Sequence, residues 1–292
     1  MGLVDPTLPR FGCHLSTAGG LERALLSATE LDFQCVQLFV KNQRQWQSGP
    51  LEEEQIRVFT QVRGASSVAP IVAHASYLVN LASPDATARH RSMSALLDEV
   101  ERCDALDIPL VVVHPGASLG ESEATALKLV AESLDEIAKR RTGHQAAVLL
   151  ESTAGQGTSI GHRLEHLAEI RTLVRNAASV GVCLDTCHLF AAGYDFRHPD
   201  QYAALAEEID RTVGFSAIQC IHLNDSKREL GSRVDRHEHI GKGMIGEAGF
   251  AHFVNDPRLL GIPMILETPK GTDDSGVDYD RTNLSRLRSL LR

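Results

Sequence analysis

The sequence has few of the features that mark disulfide-rich, membrane-spanning or basic proteins. Aromatic residues make up only 5% of the chain, and Trp46 is the one tryptophan. The six cysteines form no CxxC pair and most lie in apolar runs, so we expect reduced core thiols in a cytoplasmic protein. The chain has neither a charged-then-apolar leader nor an apolar run as long as a membrane span, so we expect no membrane partner.

Positive charge is also scarce. The chain has 29 Lys and Arg against 38 Asp and Glu, which gives a formal net charge of −9. This balance argues mildly against a nucleic-acid-binding protein, because such proteins normally present basic surface. The objection weakens if many of the carboxylates hold divalent cations, since each ion adds two positive charges where a phosphate would lie.

Short apolar runs alternate with segments of helical period along the whole chain. The clearest helix is predicted over residues 123–141, where apolar residues recur at spacings of three and four. Parallel strands covered on both faces are expected to be continuously apolar. Such runs occupy residues 11–14, 35–39, 71–74, 110–114, 147–151, 182–185, 217–223 and 263–267.

Eight strands, each followed by a helix, predict an α/β protein with a (β/α)₈ TIM barrel. No linker or low-complexity tract divides the chain, so we expect a single domain over residues 1–292, with residues 1–10 as an N-terminal extension. A doubly wound open sheet is the structural alternative.

Six consecutive predicted strands carry a His, Asp or Glu at or near the carboxyl end. In a barrel these ends meet on one face, which carries the active site. A single such residue would be read as a hydrogen-bonded polar side chain, but six unpaired titratable groups in one place are costly to bury without metal. The six are His74, His114, Glu151, Asp185, His222 and Glu267.

Three further candidates follow the sixth and seventh strands. His188 comes three residues after Asp185, and a tight turn would direct both side chains into one pocket. Asp235 and His237 alternate in an extended segment and so share one side. His239 shares that alternation, but we expect it to have a structural role.

Nine candidate ligands are too many for one ion. With one carboxylate bridging, they suit two or three divalent ions. A set of His, Asp and Glu favours zinc or manganese over magnesium, which prefers sites built from oxygen alone. Neighbouring divalent ions suit the cleavage of a phosphodiester, because one can activate water and another can stabilise the leaving oxygen.

The sequence resembles the endonuclease IV family of apurinic/apyrimidinic (AP) endonucleases in linked motifs along nearly its whole length. Their order and spacing match the family pattern. They are "GCHLSTAGG" (12–20), "LFVKNQRQW" (38–46), "AHASYLVNLASP" (73–84), "VVHPGAS" (112–118), "ESTAGQGTSIG" (151–161), "CLDTCHLFAAGYD" (183–195), "HLNDSK" (222–227), "SRVDRHEHIGKGMIG" (232–246) and "LETPK" (266–270).

The resemblance implies a monomeric TIM barrel that holds three zinc ions, with Mn²⁺ possible at some positions, and acts on double-stranded DNA containing abasic sites. It implies cleavage on the 5′ side of the abasic site, trimming of blocked 3′ ends, and a bridging, catalytic role for Glu151. The three implied ligand sets are His74, His114 and Glu151; Glu151, Asp185, His222 and Glu267; and His188, Asp235 and His237.

The resemblance also implies that Arg44, Tyr77 and Leu78 enter the duplex where the abasic nucleotide is turned out, which suits planar and apolar side chains. Loop cations are further candidates for phosphate contacts. These are Lys41, Arg44, Arg233, Arg236 and Lys242. The sequence departs from some family members at Ala75, where they have Asp, and this removes one possible partner of a ligand histidine.

Two other functions remain open on the sequence. A sugar isomerase or epimerase on a related barrel also places Glu, Asp and His at strand ends, usually for one or two ions, and would not need the third ligand set. A DNA-damage binding module without catalysis is the other alternative, and the complete set of nine ligand residues argues against it.

Overall fold

The computed structural model describes residues 8–141 and 146–292. Eight parallel strands close into a barrel in the order β1-β10-β7-β6-β5-β4-β3-β2. The barrel strands are β1 (Arg10–His14), β2 (Cys35–Leu38), β3 (Ile71–His74), β4 (Leu110–Val113), β5 (Ala147–Glu151), β6 (Val180–Asp185), β7 (Ile218–His222) and β10 (Pro263–Leu266). A two-stranded antiparallel ribbon follows β7 and consists of β8 (Asp225–Ser226) and β9 (His237–Glu238).

Helices connect the barrel strands on the outside. They are α1 (Glu22–Glu30), α2 (Glu53–Ala65), α3 (Ala86–Leu106), α4 (Glu123–Arg140), α5 (Leu164–Leu173), α6 (Thr186–Ala192), α7 (Pro199–Thr212), α8 (Gly246–Val254) and α9 (Tyr279–Ser289). No helix in the described part of the chain has both the length and the apolar character needed to cross a membrane.

The predicted (β/α)₈ barrel is confirmed, and the open sheet is wrong because β1 pairs with both β10 and β2. Several predicted strand bounds shift by a residue or two. β4 and β10 end one residue before His114 and Glu267, so these two side chains follow their strands instead of closing them. β1 begins at Arg10, inside the predicted extension, and residues 1–7 of that extension lie outside the described residues.

The apolar core has two parts, as expected for strands covered on both faces. The larger part lies between the barrel and the helices and includes the buried face of α4. Ser122 caps this helix by accepting a hydrogen bond of 3.1 Å from the backbone N–H of Thr125. The smaller part fills the barrel. All six cysteines are buried and free, as predicted.

Candidate metal centre

The barrel interior contains an apolar layer to which seven of the eight strands contribute a side chain. Its members are Cys35, Val72, Val112, Leu149, Cys183, Cys220 and Ile265. Gly12 completes it from β1, where a Cβ would lie only 2.6 Å from Cys35 Sγ and 2.7 Å from Ile265 Cδ1. The layer therefore closes this part of the barrel so tightly that β1 has room only for glycine.

A polar layer lies two residues further along each strand. Because side chains on a strand alternate with a period of two, these residues face the same interior at its carboxyl end. The eight members are His14, Gln37, His74, His114, Glu151, Asp185, His222 and Glu267. Six are the predicted candidates. His14 and Gln37 were missed, although their spacing of two from Gly12 and Cys35 is a signal that could have found them.

The first group in this layer is His74, His114 and Glu151. Oε2 of Glu151 lies 3.1 Å from Nε2 of His74 and 3.0 Å from Nε2 of His114. Glu151 is fully buried and His74 nearly so. One carboxylate oxygen and two imidazole nitrogens from three adjacent strands therefore meet at one point.

The second group uses the other oxygen of Glu151. Oε1 lies 3.1 Å from Nδ1 of His222, which is also 3.2 Å from Oε2 of Glu267 and 3.8 Å from Oδ2 of Asp185. His222 and Asp185 are fully buried. The two oxygens of Glu151 thus face different groups of donors, which is the arrangement that a bridging carboxylate requires.

The third group joins α6 to the ribbon strand β9. Asp185 caps α6, and its Oδ1 accepts a hydrogen bond of 2.8 Å from the backbone N–H of His188. Asp235 Oδ2 lies 3.2 Å from Nε2 of His188, while Oδ1 lies 3.2 Å from Nε2 of His237. The expected tight turn after Asp185 is a helix N-terminus, and it brings His188 to Asp235 and His237, about fifty residues further along the chain.

Four of the five histidines in these groups donate a hydrogen bond from their second ring nitrogen to an oxygen atom. Such a bond fixes the tautomer and leaves the other nitrogen with a lone pair for a metal. In His74 the acceptor is the backbone oxygen of Ala75, at 2.7 Å, so main chain fixes this ring at a position that offers no polar side chain. The other acceptors are Ser152 O for His188, Glu267 O for His237 and Gln37 Oε1 for His222.

These distances fit divalent metal ions. Ligands about 2.0–2.1 Å from a tetrahedral zinc lie about 3.3 Å from one another, close to the separations of 3.0–3.2 Å within the groups. Within the described residues, Nε2 of His188 and Nε2 of His237 are buried without a hydrogen-bond partner, although each is near Asp235. Two imidazole nitrogens and a carboxylate that meet without hydrogen-bond geometry are the donor set that a cation would satisfy.

Without metal, the buried carboxylates and imidazoles of these groups stabilise one another's charges as ion pairs. Burial opposes ionisation of Glu151, but the adjacent His114 and His222 outweigh it and hold the pKa of that carboxyl well below its usual range. Burial likewise opposes charge on His237, and Asp235 with Asp185 outweighs it and raises the pKa of the imidazole to about 9. Protons therefore occupy this centre when metal does not, and metal must displace them.

Two nearby residues lie outside the three groups. Cys187 has a thiol pKa raised to about 12 by burial, and its Sγ contacts the backbone oxygen of Arg236. Its sulfur lies within 4.8 Å of a ligand atom of Asp235 and of His237, so Cys187 borders the third group. His239 stacks on Tyr279 at 4.1 Å and contacts Asn283, away from the centre.

The residues expected to contact DNA border the same face. Tyr77 is 63% exposed, and its ring lies 5.6 Å from that of His74 and 6.2 Å from that of His114. It borders a cleft of about 330 Å³ together with His114, His188 and Arg236. Leu78 is half-buried beside it.

Arg44 is exposed and borders a larger cleft of about 1020 Å³, which His14 also lines. Arg233, Arg236 and Lys242 are exposed on the segment that carries Asp235 and His237. Among the candidate phosphate contacts, four are thus accessible on the loops that surround the metal centre.

The expectation that Lys41 contacts phosphate is wrong. Its side chain is only 2% exposed, and Nζ lies 2.9 Å from Asp98 Oδ2, 3.3 Å from Glu99 Oε1 and 3.0 Å from the backbone oxygen of Ala95. The ammonium group is therefore bound to α3 and is unavailable to a DNA strand. A loop position in the sequence does not reveal that the lysine stem turns inward.

α3 holds two loops together through these carboxylates. Glu99 pairs with Lys41 in the loop after β2 and accepts a hydrogen bond of 3.1 Å from the backbone N–H of Ser76 in the loop after β3. Ser76 Oγ then donates to the backbone oxygen of Gln43 at 2.7 Å. The loop that carries Arg44 and the loop that carries Tyr77 are thus fixed to one another.

Comparison with known proteins identifies the family. Residues 25–290 match the model for xylose isomerase-like TIM barrels. A probable endonuclease 4 of Chloroflexus aggregans is 46% identical over 285 residues, which span 98% of this chain and 99% of the relative. The chain belongs to the endonuclease IV family. A probable endonuclease 4 of Nitratidesulfovibrio vulgaris is 44% identical over 98% of this chain and 100% of its own length.

Solved structures agree with this assignment. The crystal structure of endonuclease IV from Thermus thermophilus has a TM-score of 0.83 and 37% identity, covering 97% of this chain and 98% of that one. A D-tagatose 3-epimerase-like protein has a TM-score of 0.70 at 20% identity, which shows a common fold alone. Membership of the endonuclease IV family makes the chain a DNA-repair endonuclease, a hydrolase of phosphodiester bonds.

Proposed function

We propose that this member of the endonuclease IV family cleaves the phosphodiester on the 5′ side of an abasic site in double-stranded DNA. The products are a 3′-hydroxyl and a 5′-deoxyribose phosphate, as base excision repair requires, and blocked 3′ ends are further substrates. The observation that carries the proposal is the shared carboxylate of Glu151, whose two oxygens face two different groups of donors.

Three zinc ions fit the three groups of donors. His74, His114 and Glu151 would hold one ion; Glu151, Asp185, His222 and Glu267 a second; and His188, Asp235 and His237 a third. When bound, the ions supply Lewis acidity, lower the pKa of water at neutral pH and stabilise negative charge on the attacked phosphate. Manganese at some positions is compatible with the same nitrogen and oxygen donors.

The chain's own residues orient the phosphate and keep the site selective. The cleft that Tyr77, His114 and Asp235 line has a volume of about 330 Å³. We expect it to accept an abasic sugar turned out of the duplex and to exclude a nucleotide that still carries its base. Tyr77 is exposed at its edge and suited to fill the gap left in the stack.

The net charge of −9 is compatible with this substrate. Three divalent ions would add six positive charges at the face where the phosphates bind. Arg44 and Arg236 lie exposed at the two clefts of that face and are the proposed phosphate contacts there. An overall acidic protein can thus attract DNA through a local positive field.

A labelled duplex with one tetrahydrofuran abasic analogue tests the proposal, because this analogue cannot break by β-elimination. We expect zinc-loaded protein to cut it on the 5′ side and a chelator to abolish cutting. Glu151→Gln should slow turnover about a thousandfold, since a metal-assisted step contributes several kcal/mol. Glu132→Gln, an exposed change on α4, is the matched control. Near-native turnover by Glu151→Gln contradicts the bridging role.

The same assay separates the alternatives. An epimerase would leave the duplex intact and interconvert sugars, and it would not use the group around Asp235. A binding module would retain the abasic duplex without cutting it in zinc-replete protein. Either result would overturn the proposed activity.

A further inference from the structure

We propose that Gln37 is a positioning residue of the metal centre: its one carboxamide sets the tautomers of His14 and His222 and orients the carboxylate of Glu267. This inference rests on the proposed function only in that the centre binds metal. Gln37 is fully buried on β2, in the polar layer that carries the candidate ligands.

Both N–H donors and the oxygen of the Gln37 carboxamide have partners. Nε2 donates to Glu267 Oε1 at 2.6 Å and to His14 Nδ1 at 2.9 Å. Oε1 lies 2.8 Å from Nε2 of His222. One neutral side chain therefore links β2 with β1, β7 and the end of β10 at the level of the metal centre.

The carboxylate decides which way the amide faces. A carboxylate that holds a metal ion is ionised and can only accept hydrogen bonds, and Oε1 of Glu267 lies 2.6 Å from the amide of Gln37. The amide nitrogen must therefore face Glu267, and the amide oxygen must face His222. A flipped amide would place two acceptors 2.6 Å apart.

The tautomer of His222 follows from this orientation. Nε2 of His222 must carry the proton that it donates to the amide oxygen, so Nδ1 is the nitrogen that can offer a lone pair to a metal ion. Nδ1 is the atom that lies 3.1 Å from Glu151 and 3.2 Å from Glu267. In the opposite tautomer this histidine would present a proton to the metal instead of a lone pair.

Glu267 is oriented by the same contact. Its Oε1 is held by Gln37, so Oε2 is the oxygen directed to His222 Nδ1 and to Nδ2 of Asn224, at 3.4 Å. The backbone N–H of Glu267 is held by Asn224 Oδ1 at 2.7 Å. Hydrogen bonds to the carboxylate and to the backbone of Glu267 thus fix the orientation of its side chain before any ion binds.

The third contact of the Gln37 carboxamide is with the ring of His14. Because Nδ1 of His14 accepts from Gln37, Nε2 of His14 carries the proton, and it is buried without a partner among the described residues. Its ring packs on Phe39 at 4.4 Å and lines the larger cleft. Loss of Gln37 would release this ring as well as the two ligands.

Zinc release measures the effect of Gln37 independently of activity. We expect Gln37→Met, which keeps the volume but removes both hydrogen-bonding functions, to weaken one of the bound zinc ions about 10–100-fold, the usual loss when the partner of a ligand is removed. The probe is zinc transferred to a chromogenic chelator titrated against the intact, zinc-loaded protein. Gln219→Leu is the control, because Gln219 lies on β7 with its carboxamide beside Gly181, four residues before the polar layer on β6.

The outcomes are separable. If wild-type protein holds no zinc, the proposed metal centre fails and this inference fails with it. If wild type holds zinc and Gln37→Met releases it as wild type does, the centre stands and the role of Gln37 is wrong. If the variant does not fold, ¹⁵N correlation spectra of the histidine rings in wild-type zinc-loaded protein decide. Protons on Nε2 of His14 and His222 support the inference, and a proton on Nδ1 of His222 overturns it.

Discussion

The backbone N–H of His188 donates a hydrogen bond of 2.8 Å to Oδ1 of Asp185, three residues earlier. The other oxygen, Oδ2, faces the metal centre and accepts from Nδ2 of Asn224 at 2.7 Å. One carboxylate thus begins α6 and contributes to the second group of donors. The local fold and the chemistry of the site depend on the same side chain.

Two substitutions at Asp185 should separate these roles. Asn caps helices about as well as Asp, so Asp185→Asn should bind less zinc yet retain most of the stability of the metal-free fold. Asp185→Ala should lose zinc and, in addition, about 1 kcal/mol of the free energy of unfolding. Urea unfolding of metal-free proteins and zinc analysis provide the two readouts. Equal unfolding midpoints for the two variants would show that the cap adds nothing.

Substitution of Glu99 should affect DNA binding without affecting metal binding. Glu99→Gln weakens the pairing with Lys41 that fixes the Arg44 and Tyr77 loops to one another. We expect KM for an abasic duplex to rise about tenfold, about 1.4 kcal/mol, because the loops must then be ordered on binding. Zinc content and hydrolysis of bis(p-nitrophenyl) phosphate should not change.

Glu101→Gln, a partly exposed change on the same helix, is the control for Glu99. An equal loss on the duplex and on the small phosphodiester would show that Glu99 acts on the metal centre or the fold, and not on the two loops.

Tyr77 should contribute to the binding of damaged DNA and not to the binding of metal. Tyr77→Ala removes an exposed ring at the edge of the metal centre, and loss of one stacking contact costs about 1–3 kcal/mol. We expect binding of abasic duplex to weaken by about one to two orders of magnitude, with zinc content intact, as measured by fluorescence anisotropy. Leu173→Ala, an exposed apolar residue on α5, should bind like wild type. Unchanged affinity in Tyr77→Ala would falsify its proposed insertion into the duplex.

Zinc binding should release protons at neutral pH. In the metal-free fold the pKa of His237 is raised to about 9 from an ordinary 6.5, because Asp235 and Asp185 outweigh its burial. That interaction stabilises the metal-free fold fully below pH 6.5, and the contribution is lost as pH rises through 9. Zinc affinity changes in the opposite direction and rises over the same range, because the ligand must lose its proton.

Calorimetric titration of metal-free protein with zinc at pH 7, in two buffers of different ionisation enthalpy, counts the protons released. Heats that do not depend on the buffer would contradict the assigned protonation of the histidines.

Much of the fold and the site could be predicted from the sequence because both follow from the regular spacing of apolar and polar residues. Continuous apolar runs indicated parallel strands, and a His, Asp or Glu at the end of six runs indicated the face on which they meet. His14 was missed because the six consecutive runs begin at the third strand and His14 lies on the first. Gln37 was missed because it is neither acidic nor a histidine. Both lie in the same layer by the spacing of two.

Other features could not be predicted from local pattern. Lys41 looked like a loop cation, but its partners Asp98 and Glu99 are more than fifty residues away along the chain. Equally, nothing in the alternation of Asp235, His237 and His239 says that the third side chain leaves the site. Its direction depends on contacts with Tyr279 and Asn283 in α9.

The central claim is that nine side chains form a centre for three ions, and the number of zinc ions per chain tests it most directly. Mass-spectrometric metal analysis of protein loaded with zinc and then freed of excess ion should give about three zinc per chain. Asp235→Ala should retain about two, because only the group with His188 and His237 loses its carboxylate. A wild-type value of one or two, unchanged in Asp235→Ala, would contradict the third ion.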